Sequence, residues 1–353
     1  EGRRFMFDYI PDVFKAQYAK TEEEADRWYN DPDNNKRPPE LLPRDEVARA
    51  INAEVKAGRG SPHGGVFLDV SKRLPADVIK AKLPSMWHQF KELADVDITE
   101  ESMEVGPTCH YVMGGIEVDP DTQELVGLRG IFAAGESSGG MHGSNRLGGN
   151  SLSDLLVFGR RAGLYAAEYV EGLKAKGELP VVSEAEIQGA MARAIAPFDP
   201  SRDENPFSIQ DDLQTVMNDL VGIIRTGDEM RAALEKIEAI KERMSRVHAM
   251  GDRGYNPGWH LALDLPKQVL VSESVARAAL AREESRGGHT RNDFPVMSPD
   301  WRQVNLICRV SNNQIDVTKQ PVPTIPLELI QLFDAAELKK YMTIEELTSV
   351  GMA

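Results

Sequence analysis

The chain has 353 residues, 41 of them Lys or Arg and 56 Asp or Glu, giving a formal charge of −15, with 41% hydrophobic and 27% charged residues. That length supports two or three domains around full hydrophobic cores, which excludes peptide hormones and disulfide-stapled miniproteins. The acidic balance, without any Lys/Arg cluster, argues against a nucleic-acid partner, because such binders need a basic surface to release counterions from phosphates.

Glu1 is followed by Gly-Arg-Arg and then by the aromatic-rich segment Phe5 to Ile10, with no signal-peptide apolar region, so the chain reads as opening within a domain. Asp45-Glu46 opens an amphipathic run with Val47, Ala48, Ile51 and Val55 on one face, ended by Gly58, which predicts a helix with acidic residues at its start. Residues 58–65 read as a Gly/Pro-rich loop, 66–70 as a short strand and 76–93 as a helix. The acidic run Glu22 to Asp26 reads as a solvated helix face.

Residues 106–164 hold thirteen of the 29 glycines, the texture expected where backbone turns sharply or lies against a flat ligand. Gly130 to Glu136 reads as a buried strand, and Leu152 to Tyr169 as an apolar helix. Farther on, Leu213, Val216, Met217, Leu220, Ile223 and Ile224 recur at helical spacing, as do Met230, Leu234, Ile237, Ile240, Met244 and Val247. A third helix runs through Val269 to Leu280. Breaks at 225–228 and 248–260 make this an antiparallel bundle. The tail from 291 carries a strand over 303–310 and a final short helix. No stretch approaches the roughly 18–20 apolar residues needed to span a bilayer.

Cys109 and Cys308 stand far apart with no CxxC, so no zinc or iron–sulfur site held by this chain alone is expected, in keeping with a reducing compartment. Cys109 reads as a small buried filler. The densest chemical signal is Pro107 to Gly115 (Pro-Thr-Cys-His-Tyr-Val-Met-Gly-Gly), then Gly135-Glu136, then His142 to Leu152 (His-Gly-Ser-Asn-Arg-Leu-Gly-Gly-Asn-Ser-Leu). A carboxylate at a strand end, as at Glu136, can accept hydroxyl hydrogen bonds from a nucleotide. A helix N-terminus, as at Ser151, offers N–H groups and partial positive charge to an electron-rich ring edge. Taken singly, Gly-Glu also reads as a turn and Ser151 as an N-cap. His142 fits a ligand contact or a loop hydrogen bond equally well. His289, between Arg286 and Arg291, reads as a tie between bundle and tail, and His63, His88, His248 and His260 as structural or solvent-exposed.

These motifs, with Pro43 to Ala50 and Arg286 to Pro295, resemble the flavoprotein subunit of the succinate dehydrogenase/fumarate reductase family, in particular its actinobacterial members. The resemblance implies an α/β plus α architecture: a partial Rossmann-type FAD-binding domain with a capping domain, a helical bundle and a C-terminal tail. The family's Gly-x-Gly-x-x-Gly turn does not occur here, nor do its upstream His and Thr-Glu pair, so the resemblance is to the C-terminal portion. The implied divisions are a partial capping domain over 1–106, a returning FAD-domain segment over 107–178, a helical domain over 179–290 and a tail over 291–353.

The same resemblance implies FAD as cofactor and no resident metal. It implies Arg44 as the proton-exchanging catalytic residue, His110 and Arg146 as ligands of a C4 dicarboxylate, and Glu136, Ser151 and Leu152 as FAD contacts. The implied reaction is oxidation of succinate to fumarate by hydride transfer to FAD, or its reversal as fumarate reduction. The implied partners are membrane-anchor subunits and an iron–sulfur subunit, with the flavoprotein peripheral on the cytoplasmic side of the bacterial membrane. An arginine as proton donor and acceptor runs against its ordinary pKa, and the Asp45 helix dipole, worth roughly 0.3–1 kcal/mol, does not close that gap. Burial and a proton relay are expected to supply the rest. L-aspartate oxidase shares several of these motifs, although Met113 stands where that enzyme usually has Cys. A non-catalytic scaffold is the alternative from outside enzymology.

Overall fold

Two contact units make up the chain, Glu1–His110 and Tyr111–Ala353, in a computed structural model that describes residues 2–312, 314–339 and 341–352. Unit 1 begins with 3-10 turns at Phe5–Tyr9 and Asp12–Phe14. Helix α1 (Glu22–Trp28) follows, its N-terminus capped by the Thr21 hydroxyl, which accepts from the Glu24 N–H. Its acidic run is not simply solvated: Asp26 pairs with Arg4 at 3.0 Å and with Arg73 at 2.7 Å, and Glu22 with Arg73 at 3.0 Å.

Helix α2 (Arg44–Lys56) begins one residue before the predicted acidic start, with Pro43 as its N-cap. Its buried positions are Ala50, Ile51 and Glu54, and Ala50 joins Met6, Tyr18 and Leu42 in a small core. Glu54 is buried because its charge is met on two sides. Arg59 donates to it from Nε and Nη2 at 2.7 and 2.8 Å, and the Tyr9 hydroxyl donates at 2.6 Å. The Arg59 guanidinium and then the Tyr9 hydroxyl hold its carboxyl down at about 2.

Strand β1 (Val66–Leu68) pairs antiparallel with β2 (Met103–Val105), Val66 opposite Val105. Between them the predicted 76–93 helix is two helices, α3 (Ala76–Lys82) and α4 (Pro84–Ala94). Leu83, at φ −127°, is pushed out of the helical region by the ring of Pro84, and the axis breaks there. Ile79, Ile98 and Met103 form the core under this pair.

In unit 2, residues 111–149 are mostly irregular. The strand predicted over 130–136 does not form. Gly130 and Gly135 take positive φ at either end, Phe132 makes only an isolated bridge with Glu124, and Gly135–Ser137 is a 3-10 turn. Helix α5 (Asn150–Lys176) is longer than expected and its only buried residue is Asp154. Helix α6 (Glu184–Ile195), set by a Ser183/Glu186 capping box, was not foreseen.

The core of unit 2 lies between α7 (Pro206–Leu220), α8 (Gly227–Met244) and α9 (Pro257–Ala281). Ile209, Leu213 and Val216 of α7 meet Met230, Ile237 and Ile240 of α8 and Leu265 and Val269 of α9. Helix α9 begins at Pro257, inside the predicted break, because Asn256 caps it by accepting from the Trp259 N–H at 2.9 Å. After the short helix α10 (Pro299–Arg302), strands β3 (Val304–Ser311) and β4 (Gln314–Pro321) form an antiparallel hairpin, where only the first strand was expected. Three short helices, α11 (Leu327–Ile330), α12 (Ala335–Leu338) and α13 (Ile344–Ser349), replace the predicted single one and share a core of Ile330, Leu338 and Leu347. No helix among the described residues is long and apolar enough to cross a membrane.

Candidate active site

Asp154, one turn into α5, is 4% exposed although the helix around it is otherwise at the surface. Its Oδ2 accepts from the Tyr111 hydroxyl at 3.0 Å, and the His142 Nε2 lies 3.0 Å from that hydroxyl and 3.2 Å from Oδ2. The Arg146 guanidinium carbon sits over the Tyr111 ring, 4.6 Å from its centroid. Burial first, and the Asp154 carboxylate second, push the Tyr111 phenol up, so it stays protonated.

Arg146 is half-buried and only partly used. One Nη1 hydrogen reaches the Leu147 carbonyl at 3.2 Å, while Nε is buried with no partner among the described residues. A buried donor left unpaired costs about 1–3 kcal/mol, so the guanidinium retains capacity for an anionic ligand. Its loop is fixed from a distant segment, because the Gly288 N–H donates to the Ser144 carbonyl at 2.9 Å. Gly287, at φ +57°, allows this approach, since a Cβ there would lie 2.3 Å from the Ser144 oxygen.

Around this cluster stand the expected cofactor contacts. Glu136 accepts the Val112 N–H on Oε1 at 2.8 Å and is exposed. The N-cap of α5 is Gly149, which has no side chain to cap with, and the first turn holds no acidic residue. Ser151 therefore lies inside the first turn rather than capping it. Its N–H has no partner among the described residues. Leu152 beside it is 67% exposed.

The other two expected site residues belong to unit 1. Arg44 is the first residue of α2; it is exposed and its side chain has no hydrogen bond or ion pair among the described residues, so the burial expected for it is not supplied by them. His110 is exposed at the end of that unit. Cys109 is exposed, not the buried filler expected. His63 finds a partner that its spacing did not suggest, Glu104 at 2.7 Å. No group of three His, Cys, Asp or Glu side chains that could hold a metal ion occurs among the described residues.

What sequence reasoning missed is the Tyr111–His142–Asp154 cluster. The available signal was a single Asp in the apolar run from Leu152 to Gly159.

Two family descriptions match. The FAD binding domain matches residues 1–152, and the fumarate reductase flavoprotein C-terminal domain matches residues 210–346. A CoM/CoB fumarate reductase chain of Methanothermobacter marburgensis is 40% identical over 270 residues, covering 76% of this chain and 48% of that protein. The succinate dehydrogenase flavoprotein of Coxiella burnetii is 36% identical, covering 71% of this chain and 44% of that one. Among solved structures, Mycobacterium smegmatis Sdh1 in complex with UQ1 superposes with a TM-score of 0.78 at 56% identity, over 89% of this chain and 54% of that one. A FrdA variant of the Escherichia coli quinol fumarate reductase superposes with a TM-score of 0.75 at 30% identity, over 92% and 54%. The chain spans about half the length of the curated relatives it matches.

Proposed function

Because this chain belongs to the succinate dehydrogenase/fumarate reductase flavoprotein family, an FAD-dependent oxidoreductase family, we propose that it serves a C4-dicarboxylate oxidoreductase that converts succinate to fumarate. The observation that carries this reading is Arg146: a guanidinium held over the Tyr111 ring at 4.6 Å with a buried, unpaired Nε, beside an uncapped helix start. A carboxylate is the ligand that fills such a fork with two parallel hydrogen bonds.

In this reading Arg146 clamps one carboxylate of the substrate, and His110 donates a hydrogen bond to a carboxylate oxygen. Arg44 takes the proton released from the carbon next to the one that loses hydride. Its position at the start of α2 places the positive end of a helix dipole beside its charge, which favours release of a proton. The residues present fit FAD: Ser151 offers an unpartnered N–H at the uncapped start of α5, Leu152 offers exposed apolar surface, and Glu136 has its second oxygen left for a hydroxyl. FAD, when bound, supplies the two-electron acceptor for the hydride.

Residues 1–106 are then part of a capping domain, 107–178 a returning segment of the FAD-binding domain, 179–290 the helical domain and 291–353 the tail. Electrons leave through an iron–sulfur subunit to membrane-anchor subunits, with the flavoprotein peripheral on the cytoplasmic face of a bacterial membrane. Sdh1 in complex with UQ1 and FrdA of a quinol fumarate reductase support a quinone as the further redox partner in this reading.

The test is to purify the complex that contains this chain at full length and assay dye reduction by succinate, fumarate reduction with a reduced dye, and oxygen consumption with L-aspartate. Flavin-dependent succinate and fumarate turnover is expected. Oxidation of L-aspartate with no succinate turnover would overturn the assignment in favour of an aspartate oxidase, and a flavin-free, inert complex would favour a scaffold.

A further inference from the structure

Tyr111, His142 and Asp154 form one hydrogen-bonded cluster. The Tyr111 hydroxyl donates its single hydrogen bond to Asp154 Oδ2 at 3.0 Å. His142 Nε2 faces the Tyr111 oxygen at 3.0 Å and Oδ2 at 3.2 Å, and the tautomer with hydrogen on Nε2 suits both acceptors. The side chains of His142 and Asp154 are 9% and 3% exposed. Asp154 Oδ1 is buried with no partner among the described residues. A buried carboxylate with one orphaned oxygen is costly to keep.

The purpose lies in what Asp154 does not do. Paired directly with Arg146 it would occupy the guanidinium fork that a substrate carboxylate needs. With Tyr111 between them, the ring face holds the cation through its π cloud and leaves the fork's N–H groups in place. By accepting the phenolic hydrogen bond, Asp154 also polarises the O–H and makes the Tyr111 oxygen and ring more electron-rich, which strengthens the hold on Arg146. We propose that Asp154, His142 and Tyr111 are positioning residues that set Arg146 for a dicarboxylate without competing for it. The proposal rests on the reading of Arg146 as the carboxylate clamp.

The measurement is binding of malonate, a dicarboxylate that cannot be dehydrogenated, together with kcat and KM for succinate, in the intact flavin-loaded complex. Tyr111→Phe keeps the ring and removes only the hydroxyl. It should raise the malonate Kd and the succinate KM roughly fivefold to tenfold, with flavin content and melting temperature unchanged. Asp154→Asn should act in the same direction, and the double variant should be no worse than the more severe single one, because the residues act in series. Tyr111→Phe with wild-type malonate binding would overturn the proposal, as would a lowered melting temperature with unchanged KM. Arg146→Gln separates the two readings. Loss of malonate binding in that variant while Tyr111→Phe retains it removes the positioning role alone, whereas normal malonate binding in Arg146→Gln removes the clamp and the proposal with it.

Discussion

His289 and Arg291 stand two residues apart in the loop after α9, and burial makes opposite demands on them. Arg291, 2% exposed, has its donors met: Asp293 accepts from Nε and Nη2 at 2.8 and 2.6 Å, and the Ala279 and Leu280 carbonyls accept from Nη1. A cation at the carbonyl end of α9 is also favoured by the helix dipole. His289 donates from Nε2 to the Arg282 carbonyl at 3.0 Å, which leaves Nδ1 to accept from Arg225 at 3.1 Å. Protonation would set a second N–H against that guanidinium. Burial first, and then the charges of Arg225, Arg291 and Arg282, lower its pKa from 6.5 to about 4. The unfolded chain therefore takes up this proton before the folded one. Stability from neutral His289 is complete above pH 6.5, declines as pH falls toward 4, and is constant below that. Melting temperature against pH should slope through that window in the parent, and the difference between parent and His289→Gln should change there by the His289 contribution alone. The Glu54 contribution lies lower: its carboxyl is held at about 2, so its stabilisation is present above about 4.5 and is lost as pH falls toward 2. Glu54→Gln should make that acid limb shallower, because Glu104 and other lowered carboxyls titrate there too, and leave the His289 contribution unchanged.

Helix α9 shows at the element scale which side chains carry the fold. Leu265 is fully buried at its centre, and Leu270, five residues on, is 44% exposed. Leu265→Ala should cost about 2–5 kcal/mol in denaturant unfolding, and Leu270→Ala under about 1 kcal/mol, because only the first leaves a cavity. Equal costs would mean that the core does not lie where α7, α8 and α9 meet. These three helices were legible in the sequence because apolar residues at spacings of three and four coincide with the faces that tertiary contacts bury. Elsewhere local signals misled. Val-Ile-Lys through Lys-Glu-Leu reads as one helix until Pro84 is weighed against Leu83, and the apolar Ile131 to Ala134 reads as a strand until Gly130 and Gly135 take positive φ. The second hairpin strand was visible in the alternation of Ile315 and Val317 with polar neighbours, but Pro-rich flanks concealed it.

For the whole molecule, motif residues were legible and their wiring was not. Arg44, His110, Glu136, Arg146, Ser151 and Leu152 stand in contiguous motifs that a reader can recognise. The contact of Tyr111 with Asp154 spans 43 positions and follows no spacing rule. Only folding brings it about, together with the buried Asp154 Oδ1 and Arg146 Nε, which have no partner among the described residues. Arg44 and His110 are exposed side chains of unit 1, and the Arg146 cluster and the start of α5 belong to unit 2. The proposed chemistry asks the most of Arg44, since proton exchange by a guanidinium is the step that an ordinary arginine performs least readily. The most direct test is succinate turnover by the intact complex carrying Arg44→Lys or Arg44→Gln, measured beside its flavin absorbance and malonate binding. Turnover should be abolished while flavin remains bound and malonate still binds; near-normal turnover in either variant would contradict the assignment of Arg44 and the mechanism built on it.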